Sequence, residues 1–518
     1  MSTSRSDCFL LLHPDDDVAI CRSPAPAGTM WQVPGGDSIV TRAAIDLGHK
    51  VAVRSIGKEA SVRKYGQIIG SATEDIEPGE LVHTHNLGVG EFTRDYRFAT
   101  EVSAAPSAEQ PRTFLGYRRS DGRSATRNYI GVISTVNCSA TSSRYIAEHF
   151  DASLLADYPN IDGVVALVHK GGCAMEYGGI DHRQLARVLA GFARHPNIAA
   201  YLIVGLGCET AQAAFLEETH GLVQLSLPGR SESPPPLTMN IQDEGGVQKT
   251  VDRGVGVLRE MLPEVNAAQR VPIPISELIL GNECGGSDGA SGVTANPALG
   301  YASDLIVAQG GTAVLSEMPE IYGGEHLLTR RAIRRDVGER LVERIRWWED
   351  YAAKFDAHID NNPSVGNKRG GLTTIFEKSL GAIAKGGTTA LRAVYEYAEP
   401  IQEKGLVVMD TPGYDPASVT GMIAGGANVI VFTTGRGSCF GCKPVPTIKV
   451  ATNTPMYERM RDDMDVNAGR ILDGDSTQDV GREIFEKIIA VASGEKTKSE
   501  AQGIGDEEFC PWTSGPVF

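Results

Sequence analysis

The sequence predicts a multidomain α/β protein in which a small β-rich module precedes two blocks of alternating strands and helices. Three observations carry this reading. Residues 8 to about 100 hold short alternating segments, among them Asp17-Val-Ala-Ile-Cys21, His49-Lys-Val-Ala-Val-Arg54 and Lys64-Tyr-Gly-Gln-Ile-Ile-Gly70, broken at close intervals by Gly, Pro and Asp. That is the pattern of short strands and tight turns. From about residue 114, strand-length apolar runs alternate with amphipathic stretches, which predicts a parallel, doubly wound sheet. The chain also has 518 residues, more than one core holds at roughly 150 residues per domain.

Taken in order, the β-rich domain is expected over 1–100 and a polar, Pro/Ala-rich linker over 101–113. An α/β domain follows over 114–320, with strands at Tyr129 to Val136, Gly163 to Val168, Ala199 to Gly205 and Glu277 to Leu280. Helices are expected over 142–156, 182–195 and 247–262. A second α/β domain spans 321–518. It opens on a charged helix or helix pair over 324–355 and continues with strands at Leu406 to Met409 and Asn428 to Thr433.

Composition narrows the function. The formal net charge of -16 argues against a nucleic-acid partner, whose phosphates an acidic surface repels. No apolar run approaches the ~20 residues that cross a membrane, and the start lacks the apolar core of a signal peptide. A cytoplasmic location is expected, with the nine cysteines reduced. No GxGxxG follows a strand, so a nicotinamide dehydrogenase is not expected.

Four cysteines occupy equivalent places. Cys138, Cys173, Cys208 and Cys284 each follow a predicted strand closely, and ligands of parallel sheets bind beyond the carboxyl ends of strands. The four thiols are therefore expected along one sheet edge as soft ligands for iron or another thiophilic metal, with Glu209 as a further ligand. The bland alternative is a set of buried turn cysteines. The glycine-rich run Cys284 to Pro297 carries Ser287, Asp288 and Asn296 and suits anion binding through its N–H groups and hydroxyls. Lys368 and Arg436, each flanked by glycine, suit a substrate carboxylate. His49 and His169 are the proton-transfer candidates. His83-Thr-His85 suits a metal or plain exposure, and Cys439-Phe-Gly-Cys442 a redox or zinc half-site.

The segments LLHPDDDVAI, GHKVAV, RKYGQIIG, VHTHN, VHKGGC, GLGCE, ECGGSDGASGVTANPALG, SEMPEIYGGEHLL, NPSVGNKRGG and FTTGRG resemble, in order and over nearly the whole chain, the UxaA/GarD family of altronate and galactarate dehydratases. The resemblance implies an N-terminal SAF-type β-clip domain, a Rossmann-like domain and a C-terminal domain. It also implies dependence on iron, as Fe2+ with Mn2+ sometimes substituting; the four cysteines add a 4Fe-4S cluster as an alternative. The family's GHK falls on Gly48, His49 and Lys50, adding Lys50 to the catalytic candidates, its GLGCE on Gly205 to Glu209, and its CGGSD on Cys284 to Asp288. The pair Cys439 and Cys442 departs from the common pattern.

The activity so implied removes water from an aldonic or aldaric acid, D-altronate foremost, to give a 2-keto-3-deoxy acid. Galactarate and sulfolactate are the neighbouring substrates. The rival of another class is a non-catalytic sugar-acid or metal-binding protein, which would need fewer convergent loops. A small-molecule sugar acid is the expected partner, with self-assembly into a homo-oligomer left open.

Overall fold

The computed structural model describes residues 7–90, 94–104, 106–108, 110–224 and 235–514. The N-terminal module is built of small antiparallel sheets, one containing β1 (Val18–Cys21) and β2 (Lys50–Ala52), another β3 (Ser61–Lys64) and β4 (Gln67–Ala72). Alternation decides what turns inward: along β3, Val62 and Lys64 are buried while Ser61 and Arg63 are exposed. Val18, Ala52, Val62, Ile69 and Val82 form the core of this module, and Leu380 of the C-terminal unit packs into it. The module is thereby fastened onto the rest of the protein by apolar burial.

The middle unit is a four-stranded parallel sheet of β5 (Tyr129–Ser134), β6 (Gly163–Leu167), β7 (Ile198–Gly205) and β8 (Leu237–Asn240), in the order β6-β5-β7-β8. All six residues of the inner strand β5 are buried, as a near-continuous apolar run in a covered parallel sheet requires. Helices α1 (Asn137–Glu148) and α3 (Val247–Asn266) cover one face, and α2 (Ile180–Ala193) the other.

The third unit is a seven-stranded parallel sheet. Its strands are β9 (Ile279–Cys284), β10 (Thr312–Leu315), β11 (Leu391–Tyr395), β12 (Gly405–Met409), β13 (Val429–Thr434), β14 (Thr447–Ala451) and β15 (Val466–Asn467), in the order β11-β12-β10-β9-β13-β14-β15. From β9 the chain winds first to one side, through β10, and later to the other, through β13. The gap beyond the carboxyl ends of β9 and β13 is therefore a topological switch point, where open α/β sheets bind ligands. The loops leaving these two strands are the glycine-rich runs after Cys284 and Thr434.

Two expectations are corrected here. β9 and β10 belong to the C-terminal sheet, so the boundary placed between 320 and 321 falls inside one sheet, and the third unit begins near residue 275. The four thiols do not share one edge. Cys138, Cys173 and Cys208 follow β5, β6 and β7 of the middle sheet, whereas Cys284 ends β9 of the other. A strand run read from sequence does not say which sheet it joins, because pairing partners are chosen by tertiary burial. The charged stretch expected over 324–355 is two helices, His326–Arg330 and Arg335–Lys354. No helix among the described residues is long and apolar enough to cross a membrane.

Candidate active site

The switch point is roofed by the N-terminal module. The turn before β2 inserts Gly48 between two loops of the C-terminal unit. A Cβ at Gly289 would lie 1.9 Å from the Gly48 carbonyl oxygen, and one at Gly371 2.4 Å from it. Only glycine allows backbone to approach this closely. Gly289 N–H also donates to Gly370 O at 2.8 Å, so the three loops are locked together.

Directly behind the turn, Lys50 and Lys64 converge on one carboxylate of α4 (Ile375–Ile383). Lys50 Nζ is 2.9 Å from Glu377 Oε2 and Lys64 Nζ 2.8 Å from Glu377 Oε1, and all three side chains are essentially inaccessible. Lys50 also donates to Gly371 O at 2.7 Å, and Thr373 donates to Glu377 through its amide and hydroxyl. Burying ions costs several kcal/mol each unless they are paired and further hydrogen-bonded; here both oxygens of Glu377 accept, and Lys50 has a second acceptor in Gly371 O. One carboxylate cannot compensate two ammonium groups. Burial, with the Lys64 charge against it, pushes Lys50 down to about 8, while the two lysines hold Glu377 well below the usual carboxylate range. Lys50 is thus a buried ammonium drawn down toward the range in which a general base works.

A small recess lies alongside, bounded by Tyr65, Ser287, Asp288, Glu377, Lys378 and Cys284. The Ser287 hydroxyl is buried without a hydrogen-bond partner. Such an orphan in a polar cavity points to a ligand. Asp288 is fully engaged: it accepts from Ser291, Thr452, Asn453 and the Ala290 amide, and so holds the loop. Asn296 bridges Gly381 O and Thr433 Oγ1. At the outer rim, His49 stacks on His83 with ring centroids 5.4 Å apart, and His83 Nε2 lies 2.8 Å from Lys368 O. Burial pushes both rings toward their neutral forms. Arg436 packs beside Gly370, where a Cβ would meet its Cδ at 3.1 Å. Arg436 is exposed and Lys368 half-buried. Neither charged end has an ion-pair partner among the described residues.

Below the cavity floor lies a cluster of acids that sequence reasoning missed. Glu283, Glu317, Glu320 and Asp415 surround Lys378 and Lys385. Lys385 Nζ is 2.6 Å from Glu317 Oε2 and 2.8 Å from Cys284 Sγ; Lys378 Nζ is 2.6 Å from Glu320 Oε1. Four carboxylates face two ammonium groups, and Glu283 Oε1 and Glu317 Oε1 are buried without partners. Burial and mutual repulsion raise Glu283 and Glu320 and push Asp415 up to about 7. Among the described residues, the metal-capable groups of three whose ligand atoms lie within 4.8 Å are Cys284–Glu317–Glu320 and Glu283–Glu317–Asp415. The signal that could have found this cluster is charge inside apolar runs: Glu377, Lys378 and Lys385 sit in the otherwise apolar stretch 375–385, whose helix is buried throughout.

The remaining candidates lie on the middle sheet. Cys138, Cys173 and Cys208 are exposed. His169, expected to move protons, has both ring nitrogens committed: Nε2 bonds Ser134 O at 3.0 Å and Nδ1 accepts from Gly171 N at 3.2 Å, while burial pushes it down to about 4. It clamps the Cys173 turn. Glu209 accepts from Thr135 Oγ1 at 2.6 Å and from the Leu206 and Gly207 amides, and so clamps the Cys208 turn.

Comparison with known proteins agrees with this three-unit organisation. Residues 7–89 match the altronate/galactarate dehydratase SAF domain, 116–266 the second domain of D-galactarate dehydratase/altronate hydrolase, and 275–517 the D-galactarate/altronate dehydratase C-terminal domain. The chain is 36% identical to altronate dehydratase of Bacillus subtilis (strain 168), over 95% of this chain and 96% of that one. It is 34% identical to altronate dehydratase of Escherichia coli (strain K12), over 95% and 96%. With galactarate dehydratase (L-threo-forming) of Escherichia coli (strain K12) it shares 37% identity over 96% and 95%. The chain therefore belongs to the altronate/galactarate dehydratase family and is a hydro-lyase acting on sugar acids.

Proposed function

We propose that this enzyme dehydrates an aldonate, D-altronate, to a 2-keto-3-deoxy acid at the cavity between the N-terminal module and the switch point. The carrying observation is that the orphan hydroxyl of Ser287 faces a recess also lined by Glu377, the partner of Lys50, while Lys368 and Arg436, on touching loops of the same junction, have no ion-pair partner among the described residues. The two cations sit on touching loops, which suits one terminal carboxylate rather than the two of an aldarate. Lys50 in its amine form takes the C2 proton, and Glu377 stabilises the ammonium that results. The C3–O bond then breaks, the hydroxyl leaves as water with a proton relayed at the His49 rim, and the enol rearranges to the 2-keto acid.

The iron implied by the sequence resemblance fits the acid cluster. Two carboxylate oxygens there are orphaned, and the four acids exceed the two lysines by two charges, which one divalent ion balances. Glu283, Glu317 and Asp415 are the residues that would hold Fe2+ or Mn2+; bound there, the ion supplies Lewis-acid stabilisation of developing negative charge. The test is a panel of D-altronate, galactarate and sulfolactate assayed for 2-keto-3-deoxy product or released sulfite. Turnover of altronate at the highest kcat/KM supports the reading. Preference for galactarate or sulfolactate overturns the substrate assignment.

A further inference from the structure

The mechanism above leaves the three exposed thiols of the middle sheet unused. We infer that Cys138, Cys173 and Cys208 form a three-thiolate site for an iron–sulfur cluster on the middle sheet, one iron of which the protein does not hold.

The three cysteines follow three laterally adjacent strands, β6, β5 and β7. Neighbouring strands are ~4.8 Å apart, so the turns that carry the thiols are side by side. Those turns are bonded to one another. Asn137 N donates to Gly171 O and Ala211 N to Gly172 O, each at 3.0 Å. Thr135 Oγ1 donates to Glu209 at 2.6 Å. A Cβ at Gly172 would fall 2.2 Å from Thr135 O, so the Cys173 turn lies against the chain leading to Cys138. His169 and Glu209 are the clamps of this assembly, which explains two buried polar residues that have no free atom for chemistry. The backbone beside Cys173 is strained: Ala174 has φ +58°, in the region L residues avoid, next to Gly172 at +100°. Strain of this kind persists where the surroundings impose a geometry.

The chemistry of the site selects its occupant. All three thiols are free and exposed, with Gln242 Nε2 3.4 Å from Cys208 Sγ. The first turn of α1, which carries Cys138, holds no acidic residue, so no carboxylate there opposes an anionic group at the positive end of the helix. Soft ligands without carboxylates favour zinc or iron–sulfur clusters over hard ions. A single tetrahedral zinc, with Zn–S of about 2.3 Å, draws thiolates to within about 3.8 Å of one another. These three sulfurs do not form a group within 4.8 Å. A cluster whose irons each take one thiolate holds them further apart. Three thiolates leave a fourth iron open, and the exposure of all three places that iron toward solvent.

The full-length protein is to be purified without oxygen and reconstituted with ferrous iron and sulfide. Iron, acid-labile sulfide and the electron paramagnetic resonance spectrum of the reduced protein are then measured. About four sulfides per chain are expected, with about four irons at the cluster and one more where the acid cluster is loaded. Each of C138S, C173S and C208S should lose the sulfide and the signal while keeping the wild-type circular dichroism, and C284S and C439S should keep both. Zinc in place of iron, iron without sulfide, or full sulfide in C208S would overturn the inference. Altronate turnover is scored separately, so failure of the cluster assignment and failure of the substrate assignment are distinguishable.

Discussion

Replacing Glu377 by Gln removes the only carboxylate shared by Lys50 and Lys64, with no change of side-chain size. All three groups are fully buried and their bonds are 2.8–2.9 Å long, so the mutant must either keep two unpaired ammonium groups in the interior or neutralise one. Breaking a buried pair from one side costs about 3–5 kcal/mol. For a unit of 150–250 residues, where 1 kcal/mol moves the midpoint by roughly 2–4 °C, that is a fall of about 6–20 °C. The pH dependence carries the diagnosis. In the wild type, the depressed Glu377 contributes stability that is present above the ordinary carboxylate range and lost only in strong acid. In E377Q Lys50, already lowered in the wild type, and Lys64 both lose their counter-ion. Their folded-state pKa falls below the unfolded ~10.4, so the folded protein binds fewer protons and stability rises with pH. Thermal unfolding followed by circular dichroism from pH 6 to 9 should show a deficit that shrinks as pH rises. A mutant within about 0.5 kcal/mol of wild type, the range of ordinary surface changes, and with an unchanged pH profile would refute the argument that this triad ties the module to the C-terminal unit.

Further outcomes follow from the same geometry. If Lys50 works as the amine, kcat/KM rises with pH and levels off above about 8, and K50M abolishes turnover with the fold retained; a profile flat from pH 6 to 9 would exclude it as the base. S287A should lower kcat/KM about tenfold, the worth of one hydrogen bond of 1–2 kcal/mol, without lowering the thermal midpoint, because the hydroxyl has no partner in the protein. R436A should raise KM more than it lowers kcat, since it removes binding at the carboxylate. G289A should part the N-terminal module from its seat, since its Cβ would meet Gly48 O at 1.9 Å, and limited proteolysis near residue 90 should accelerate.

Much of the site was legible because some residue types declare themselves locally. The loops that carry Ser287, Lys368 and Arg436 stood out as glycine-flanked polar runs, and they meet at the switch point; that Gly48, Gly289 and Gly371 are points of close backbone approach is visible only in the packed chain. Apolar periodicity gave β5, β6 and β7 of the middle sheet and β9, β12 and β13 of the C-terminal sheet, but not β8, β10, β11, β14 or β15, which are too short or too mixed in polarity to stand out as runs. The roles of His169 and Glu209 were not legible, since a buried polar side chain reads alike whether it reacts or clamps a turn, and only its hydrogen-bond partners tell these apart.

By itself, then, the sequence determined the class of fold, the order of the three units and the family to which the chain belongs, because periodicity, turn residues and motif order are properties of neighbouring positions. Tertiary structure decided the rest. It joined β9 to the C-terminal sheet and so separated Cys284 from the other three thiols, seated Gly48 between loops more than two hundred residues away, and set Lys50 and Lys64 on a glutamate over three hundred residues distant. The physical reason is that pairing of strands and of buried charges is settled by which surfaces exclude water together, and that depends on the whole packed chain.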